Sequence, residues 1–278
     1  MPTKQVTVVT GGGAGIGAAV AARYARAGDV IAILDIDEAG GTRQAAAIEA
    51  AGGHAQFFPC DVADAEQVDA VAARVAREVG PPRNLVTCAA IIPDTDSAMT
   101  MNLDRHDRMW RVNYHGTLHA CRSFGAEMVR RRQGAIVTLS SINTYLALPL
   151  PAYNPGKVAV ARLTQLLAAE LGRHCITVNS VAPTFVMMPA LRQRVAEGRR
   201  NLDKIMAVHA LPELPTPEDI AEAILFLTSP QACTITGVVL PVDAGWSASV
   251  GYMTYAGGVP WSQQPEKGEL QEVTGLGA

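Results

Sequence analysis

The chain contains 278 residues, 49% of them apolar, which excludes a wholly disordered protein and allows a substantial buried core. Its 23 basic and 26 acidic residues give a formal net charge of −3, and only 5% of residues are aromatic, so neither charge nor stacking surface favours nucleic acid as a partner. No apolar run approaches the ~20 residues that span a bilayer, which argues against a membrane protein.

Apolar, β-branched runs alternate with Ala-rich helical stretches along the whole chain. The predicted strands cover residues 5–10, 30–35, 55–58, 84–88, 134–139, 175–180 and 237–242. The predicted helices cover residues 15–27, 38–51, 64–79, 102–131, 152–172 and 217–228. This alternation predicts an α/β fold with a parallel sheet of seven strands and helices on both faces. We expect one domain over residues 1–249, with a substrate lid at 184–212, and a C-terminal extension over 250–278.

The five cysteines are spread along the chain without any CxxC pair, at Cys60, Cys88, Cys121, Cys175 and Cys233. Their odd number and wide spacing predict reduced thiols in the core rather than a disulfide framework or a zinc site. The first residues run directly into an apolar strand and contain no signal-peptide pattern. We therefore expect a cytoplasmic protein.

A glycine-rich loop joins the first predicted strand to the first helix, with the sequence Thr10-Gly11-Gly12-Gly13-Ala14-Gly15-Ile16-Gly17. Glycines permit a tight turn and let a pyrophosphate approach backbone N–H groups at the N-terminus of a helix. Asp35 ends the second strand, where a carboxylate can hydrogen-bond an adenosine ribose and repel a 2′-phosphate. The pattern predicts NAD rather than NADP as the cofactor.

Further motifs follow the TGxxxGxG loop in order, namely Cys60-Asp61-Val62, Asn113 within WRVNYHGT, Ser140-Ser141, Tyr153-Asn154-Pro155-Gly156-Lys157, Asn179-Ser180-Val181-Ala182-Pro183 and Asp243-Ala244-Gly245. Over about residues 4–249 the sequence resembles the short-chain dehydrogenase/reductase family, in its single-domain, NAD-dependent branch. The resemblance implies a Rossmann-type, doubly wound fold. It also implies hydride transfer between a secondary alcohol or ketone and a nicotinamide cofactor.

Tyr153 and Lys157 stand four residues apart at the start of a predicted helix and therefore share one of its faces. An ammonium beside a phenol favours the phenolate, so we expect Lys157 to lower the pKa of Tyr153 and to make it a general acid/base near neutral pH. The resemblance implies that Ser141 hydrogen-bonds the substrate oxygen. It also implies that Asn113 holds a water molecule that relays the proton past Lys157.

Two adjacent serines compete for that role, because Ser140 stands 13 residues before Tyr153 and Ser141 stands 12 before it. The family usually uses the second serine of such a pair, commonly 13 residues before the tyrosine. A one-residue deletion in the loop 142–152 would reconcile Ser141 with that motif. We therefore predict Ser141.

The resemblance also implies a set of cofactor-binding positions, which are Gly11, Gly13, Gly15, Ile16, Gly17, Asp35, Asp61, Val62, Ala89, Tyr153, Lys157, Pro183 and Val186. Asp61 matches the aspartate that binds the adenine end. The sequence departs from the family at three places: NNAG is replaced by residues 87–90 (TCAA), PG by Pro183-Thr184, and the cofactor-touching threonine by Met188. We therefore expect rearranged hydrogen bonds near residues 87–90 and a nicotinamide site that relies on backbone groups near Val186.

His115 and His119 are four residues apart on the long predicted helix, which is a spacing that can bind a metal. No acid or third ligand accompanies them in the sequence, and hydride transfer needs no metal. We therefore predict an ordinary helix-surface or interface pair and no metal site.

The loops expected to line the substrate pocket are mostly apolar and contribute Ile92, Pro93, Asn143, Tyr145, Leu146, Leu148, Leu150, Met187 and Met188. This lining favours a secondary alcohol or ketone with an apolar body over a hydroxylated sugar. The lid also carries five basic residues, Arg192, Arg194, Arg199, Arg200 and Lys204, against Glu197 and Asp203. This excess either attracts an anionic substrate or belongs to a solvated amphipathic helix.

Three functions remain open from the sequence. The first is an NAD-dependent oxidoreductase that acts on a CH–OH donor, and the second is a 3-oxoacyl-thioester reductase. The third is a non-catalytic NAD-binding regulator on the same fold, because a fold does not determine a function. The presence of Asn113, Ser141, Tyr153 and Lys157 together argues against the regulator.

The helix predicted at 152–172 is apolar around much of its circumference, so it needs a second covering surface besides the sheet. The resemblance implies pairing of this helix and the preceding one across a twofold axis, which predicts a homotetramer or at least a homodimer. In the C-terminal extension, Tyr252, Met253, Tyr255 and Trp261 are expected to dock on an apolar surface of the same subunit or of a neighbour.

Overall fold

The computed structural model describes residues 4–92 and 95–253, which contain a single parallel sheet. Its strands are β1 (Val6–Thr10), β2 (Val30–Asp35), β3 (His54–Pro59), β4 (Pro82–Thr87), β5 (Gly134–Leu139), β6 (Ile176–Pro183) and β7 (Val239–Val242). Their spatial order is β3–β2–β1–β4–β5–β6–β7. The predicted seven-stranded, doubly wound α/β fold is therefore confirmed.

The helices of these residues are α1 (Gly15–Arg26), α2 (Glu38–Ala50), α3 (Ala65–Glu78), α4 (Leu103–Trp110), α5 (Gly116–Arg131), α6 (Tyr153–Leu171), α7 (Pro189–Ala196), α8 (Leu202–Met206), α9 (Pro217–Thr228) and α10 (Trp246–Met253). Four of these helices, α3, α4, α8 and α9, begin at a side chain that caps the backbone. Asp64 accepts backbone N–H bonds from Glu66 and Gln67 at the start of α3. Thr216 and Asp219 form a capping box at the start of α9.

Two apolar cores cover the two faces of the sheet. On β4, Leu85 and Val86 point to opposite faces, as alternate residues of a strand must. Leu85 belongs to the core that includes Phe124 of α5, and Val86 to the core that includes Tyr24 of α1. Because both faces are covered, the central strands are rich in apolar residues on both faces, and this is why they were recognisable in the sequence.

The long helix predicted at 102–131 is interrupted in the structure. Its two parts, α4 and α5, are joined by a π-helical segment at Arg111–His115, in which each turn holds more residues than an α-helical turn. The prediction of one regular helix was therefore wrong at its centre. Asn113 lies in the middle of the widened segment.

The lid contains a small apolar core of its own. Within 184–212 the structure places α7 and α8, and Leu191 and Ile205 are buried together with Leu214, which follows the lid. These side chains form an apolar cluster separate from the two cores of the sheet. An amphipathic helix was one of the two explanations for the basic residues of this segment, and the structure has two short helices there.

Three other expectations need correction or completion. Cys60 and Cys121 are buried, but Cys175 and Cys233 are exposed, so the cysteines are unpaired without all being core residues. Strand β6 extends to Pro183, three residues beyond the predicted end. Helix α10 crosses the expected boundary at 249, whereas Tyr255 and Trp261 lie outside the described residues.

Within the part of the chain that the structure describes, no helix is long and apolar enough to cross a membrane.

Candidate active site

The carboxyl ends of β1, β4, β5 and β6 meet at one edge of the sheet, where parallel α/β proteins bind their ligands. The glycine-rich loop after β1 lies at this edge. Gly11 has φ +66°, and a Cβ there would stand 2.6 Å from the backbone nitrogen of Ala89. A side chain at position 11 would therefore collide with the end of β4, and only glycine fits both the conformation and the space.

Asp35 connects the end of β2 to this loop. Its Oδ2 accepts a hydrogen bond from the backbone N–H of Gly13 at 2.8 Å, and its Oδ1 accepts one from Asp37 N–H at 3.0 Å. A Cβ on Gly13 would approach Asp35 Oδ2 to 2.9 Å. The carboxylate of Asp35 therefore packs directly against the backbone of the glycine-rich loop at Gly13.

The loop after β3 carries Asp61 and Val62. Asp61 forms an ion pair with Arg108 at 2.9 Å and accepts a bond from Ala63 N–H at 3.0 Å. Val62 is buried, and its carbonyl oxygen lies 3.0 Å from His119 Nδ1. One ring nitrogen of the histidine pair is therefore engaged with the backbone.

Helix α6 begins at Tyr153, and Lys157 follows one turn later. Lys157 is only 3% exposed, and its Nζ donates a hydrogen bond to the carbonyl oxygen of Leu139 at 2.7 Å. The same Nζ lies 5.4 Å from the centre of the Tyr153 ring. The spacing of four residues therefore brings the ammonium beside the phenol, as predicted from helix geometry.

Burial controls the pKa values of this pair. Desolvation lowers the pKa of Lys157 to about 8, although nearby Cys88 acts in the opposite direction. Tyr153 keeps partial exposure, but desolvation of its phenol raises its pKa to about 12, with the hydrogen bond to Ser141 lowering it. The expected net lowering of the Tyr153 pKa is thus wrong for the structure described, because desolvation outweighs the favourable contacts.

The two adjacent serines have different surroundings. Ser140 donates its hydroxyl to the carbonyl oxygen of Val181 at 3.1 Å, which ties β5 to β6. Ser141 instead begins the short 3₁₀ turn Ile142–Thr144, and its Oγ is hydrogen-bonded to Asn143 and to Tyr153. Of the two hydroxyls, that of Ser141 faces the tyrosine.

Asn113 is 2% exposed and connects the π-helical segment to the loop after β4. Its Oδ1 accepts from Ile91 N–H at 2.7 Å, and its Nδ2 donates to the Ile91 carbonyl oxygen at 3.0 Å. Its own backbone carbonyl accepts from Thr117 Oγ1 at 2.9 Å. The side chain is thus fully engaged with the backbone of Ile91.

The departures from the family pattern have distinct structural consequences. In residues 87–90 the Thr87 hydroxyl is buried and has no hydrogen-bond partner. Ala89 N–H is bonded instead to Thr10 Oγ1 at 3.3 Å. Met188 packs its sulfur 3.3 Å from the Cβ position of Gly15, so its thioether covers the glycine-rich loop.

Thr184, which replaces the family's glycine after Pro183, forms a contact that the sequence did not reveal. Its Oγ1 lies 2.8 Å from His209 Nε2, and His209 Nδ1 lies 2.6 Å from the carbonyl oxygen of Ile205. Desolvation lowers the pKa of His209. The contact joins the residue after β6 to the far end of the lid.

Some predicted pocket residues are engaged elsewhere. The Tyr145 hydroxyl donates to the carbonyl oxygen of Val239 at 2.6 Å, so β7 holds it. Asn143 is 5% exposed and turns toward Ser141. Arg199 pairs with Glu197 on the surface of the lid, which reduces the free positive charge there. Pro93 lies outside the described residues.

The chain is similar to known proteins along nearly all of the described residues. The family model described as Enoyl-(Acyl carrier protein) reductase matches residues 11–247. Galactitol 2-dehydrogenase from Rhizobium johnstonii is 37% identical over 243 residues, covering 86% of this chain and 94% of that protein. (3R)-3-hydroxyacyl-CoA dehydrogenase from Canis lupus familiaris is 34% identical over 258 residues, covering 87% and 96%. The solved structure of a short-chain type dehydrogenase/reductase from Mycobacterium ulcerans has a TM-score of 0.83 and 27% identity, covering 90% and 94%.

Proposed function

Because the chain belongs to the short-chain dehydrogenase/reductase family, a family of oxidoreductases, we propose that it is an NAD-dependent enzyme that interconverts a secondary alcohol and a ketone. The observation that carries the proposal is the meeting of Ser141, Tyr153 and Lys157 at the sheet edge that also holds the glycine-rich loop. An acid/base and a dinucleotide cradle in one cleft are the two parts that such a reaction requires.

The residues at this edge fit a nicotinamide dinucleotide. Gly11, Gly13, Gly15, Ile16 and Gly17 would hold the pyrophosphate against backbone N–H groups at the start of α1. Asp61 and Val62 would bind the adenine end, while Ala89, Pro183 and Val186 would hold the nicotinamide end. Asp35 supports NAD over NADP, because its carboxylate already lies against the loop at Gly13 and would repel a 2′-phosphate. When bound, the cofactor supplies the hydride acceptor or donor and, when oxidised, a positive ring charge.

The chain's own residues manage the proton and the substrate oxygen. In the oxidative direction the phenolate of Tyr153 accepts the hydroxyl proton of the alcohol as the carbinol hydrogen leaves with its electron pair. Ser141 donates a hydrogen bond to the same oxygen and fixes its position. Lys157 places a positive charge beside the phenolate, and Asn113 supports the segment through which the proton is relayed to solvent.

The substrate is proposed to be an alcohol or ketone with an apolar body. Ile92, Met99 and Leu211 present large exposed apolar surfaces on the loops that precede α4 and follow α8. Residues 184–212 would act as the lid of a catalytic domain that spans 1–249. A 3-oxoacyl-thioester reductase is the second candidate, supported by the match to the enoyl-(acyl carrier protein) reductase family model and by the basic residues of the lid. A non-catalytic regulator is disfavoured because all four residues of the catalytic set are present.

We also propose a homotetramer or homodimer in the cytoplasm. Val158 and Leu166 leave 44% and 61% of their surface exposed on α6, although both are apolar. Their burial by a second copy would explain an otherwise unfavourable surface. Light scattering at micromolar concentration tests the assembly, and a monomer would contradict it.

The decisive experiment is a redox assay over a panel of secondary alcohols, ketones and 3-oxoacyl thioesters, with NAD and NADP in parallel. We expect turnover with NAD, and a loss of the preference for NAD over NADP in Asp35→Ala. Glu38→Gln, which removes an exposed acid at the start of α2, is the matched control and should leave the preference unchanged. Equal kcat/KM values for the two cofactors in the unmodified protein would refute the NAD assignment.

A further inference from the structure

Four polar groups form a chain of hydrogen bonds that ends at Ser141. Asn154 Nδ2 donates to the carbonyl oxygen of Leu146 at 2.8 Å and to Asn143 Oδ1 at 3.1 Å. Asn143 Nδ2 then donates to Ser141 Oγ at 2.9 Å, and Asn143 N–H also points to that Oγ at 3.3 Å. The chain connects the first turn of α6 with the turn that follows β5.

The direction of every bond in this chain is determined by its first member. A backbone carbonyl can only accept, so the atom of Asn154 that faces Leu146 must be the amide nitrogen. That nitrogen also faces Asn143, so the facing atom of Asn143 must be its carbonyl oxygen. The amide nitrogen of Asn143 is then the atom directed at Ser141.

The consequence for Ser141 concerns its single proton. A serine hydroxyl has one donor hydrogen and two acceptor positions, and the two N–H groups of Asn143 can fill both acceptor positions. The hydrogen of Ser141 is therefore left to donate outward, toward Tyr153 and the place of the substrate oxygen. Burial of Asn143, at 5% exposure, keeps water from competing for these bonds.

We propose that Asn143 and Asn154 are positioning residues that hold the Ser141 hydroxyl as a hydrogen-bond donor toward the reacting oxygen. The inference rests on the proposed alcohol–ketone chemistry for its catalytic meaning. Its physical content, the direction of the Ser141 proton, does not depend on the identity of the substrate.

The first test compares Asn143→Ala with Thr144→Val in the full chain. Thr144 stands next to Asn143 in the same turn, and its hydroxyl has no hydrogen-bond partner, so its replacement by valine is the matched control. We expect Asn143→Ala to lower kcat about tenfold, because the serine proton then samples other directions, while Kd for NAD stays unchanged. An Asn143→Ala kcat equal to that of Thr144→Val would overturn the proposal.

The second test uses Asn143→Asp, which keeps the size of the side chain and guards against a folding defect in the alanine variant. Above the pKa of the introduced carboxyl, a carboxylate accepts the serine proton and withdraws it from the substrate. Below that pKa, the protonated carboxyl can still donate to Ser141 Oγ. The ratio of the variant's kcat to that of the unmodified protein should fall as pH rises, and a ratio independent of pH would contradict the inference.

The third test needs no substrate and separates this inference from the proposed function. Ultraviolet difference titration against Tyr153→Phe reports the pKa of Tyr153 with NAD bound. A serine that donates to the phenolate lowers this pKa, so we expect a higher value in Asn143→Ala than in Thr144→Val, and equal values would refute the positioning role. If the unmodified protein binds NAD but oxidises no alcohol on the panel, the proposed function fails, and this titration still decides the role of Asn143.

Discussion

Two polar clusters lie at opposite edges of the same parallel sheet, and only one of them adjoins the glycine-rich loop. The carboxyl-edge cluster comprises Ser141, Tyr153 and Lys157. The amino-edge cluster comprises Thr7, Asp29, Arg83 and Asn84, in which Thr7 Oγ1 donates to Asp29 Oδ2 at 2.5 Å and Asn84 Nδ2 donates to Thr7 Oγ1 at 3.0 Å.

Both clusters contain groups with displaced pKa values. Desolvation raises the pKa of Asp29, opposed by the hydrogen bonds from Thr7 and Asn84, and desolvation lowers the pKa of Arg83. At the carboxyl edge the same physical cause acts on Tyr153 and Lys157. A displaced pKa is therefore no sufficient mark of a functional site. The two clusters differ in their neighbours: the carboxyl-edge cluster adjoins the glycine-rich loop, whereas Asp29 hydrogen-bonds Thr7 of β1 and Asn84 of β4.

The largest expected effect is a loss of kcat on substitution of Tyr153 in the carboxyl-edge cluster. Tyr153→Phe removes the proton acceptor but keeps the ring, so we expect kcat to fall by about 1,000-fold or more with an unchanged Kd for NAD. Steady-state kinetics and cofactor titration measure the two quantities. A variant that keeps a tenth of the original kcat would remove Tyr153 from the mechanism.

The next effect compares two neighbours in sequence. Ser141→Ala should lower kcat about 100-fold, since it removes a donor to the substrate oxygen. Ser140→Ala should instead lower the free energy of unfolding by about 1 kcal/mol, because its hydroxyl bonds the carbonyl oxygen of Val181. Parallel kinetics and urea unfolding distinguish the two. A larger kcat loss in Ser140→Ala would reverse the assignment.

Lys157→Met tests how much the buried ammonium lowers the free energy of unfolding. The pKa of Lys157 is lowered from 10.5 to about 8, so its charge is disfavoured in the fold by about 3 kcal/mol. The substitution also removes the hydrogen bond from Lys157 to the Leu139 carbonyl oxygen, which offsets part of this gain. We therefore expect the variant to be about 2 kcal/mol more stable than the unmodified protein at pH 7, and nearly inactive.

The pH dependence of that difference has a definite sign. Between about pH 8 and 10.5 the unfolded chain binds more protons at Lys157 than the folded chain, so the unmodified protein gains stability relative to Lys157→Met as pH rises. Because Lys157 lies beside the phenol of Tyr153, both proteins are compared in a Tyr153→Phe background, which removes the tyrosine from the titration. Urea unfolding at pH 7 and pH 10 measures this change, and a constant difference would show that Lys157 does not carry the buried charge.

The smallest effect belongs to the amino-edge cluster. Thr7→Val preserves shape and removes the donor to Asp29, so it should lower the free energy of unfolding by about 1–2 kcal/mol. No change in kcat/KM is expected, since this cluster lies at the opposite edge of the sheet. A lower kcat/KM in Thr7→Val, measured where the variant is fully folded, would show that the amino-edge cluster also affects catalysis.

The sequence predicted those features that repeat along the chain or depend on close neighbours. Central strands such as β1 and β5 were visible as runs rich in β-branched and apolar residues, because both faces of the sheet are covered. Tyr153 and Lys157 were paired by the helical period alone. The position of Asp35 against the glycine-rich loop follows from its place at the end of β2.

Other features depend on contacts between distant residues or on local solvation. Thr184 and His209 are 25 residues apart, and no period connects them. The direction of the Asn143 amide is determined by Leu146 and Asn154, on the far side of a loop. The pKa of Tyr153 was misjudged because the sequence shows its neighbours in the helix but not the degree of its desolvation.

The π-helical segment at Arg111–His115 constrains how the chain length can change in evolution or design. Such a turn accommodates one residue more than an α-helical turn, so deleting any one of these five residues would restore an uninterrupted α-helix. Because the widened turn absorbs the extra residue, α4 would keep its rotation relative to α5 after such a deletion. A regular α-helix that kept all five residues would instead rotate α4 by about 100° about the helix axis. In that helix Arg108 would turn away from Asp61, and the amide of Asn113 would lose its alignment with Ile91. The number of residues between α4 and α5 can therefore change by one only together with the helix type of this segment.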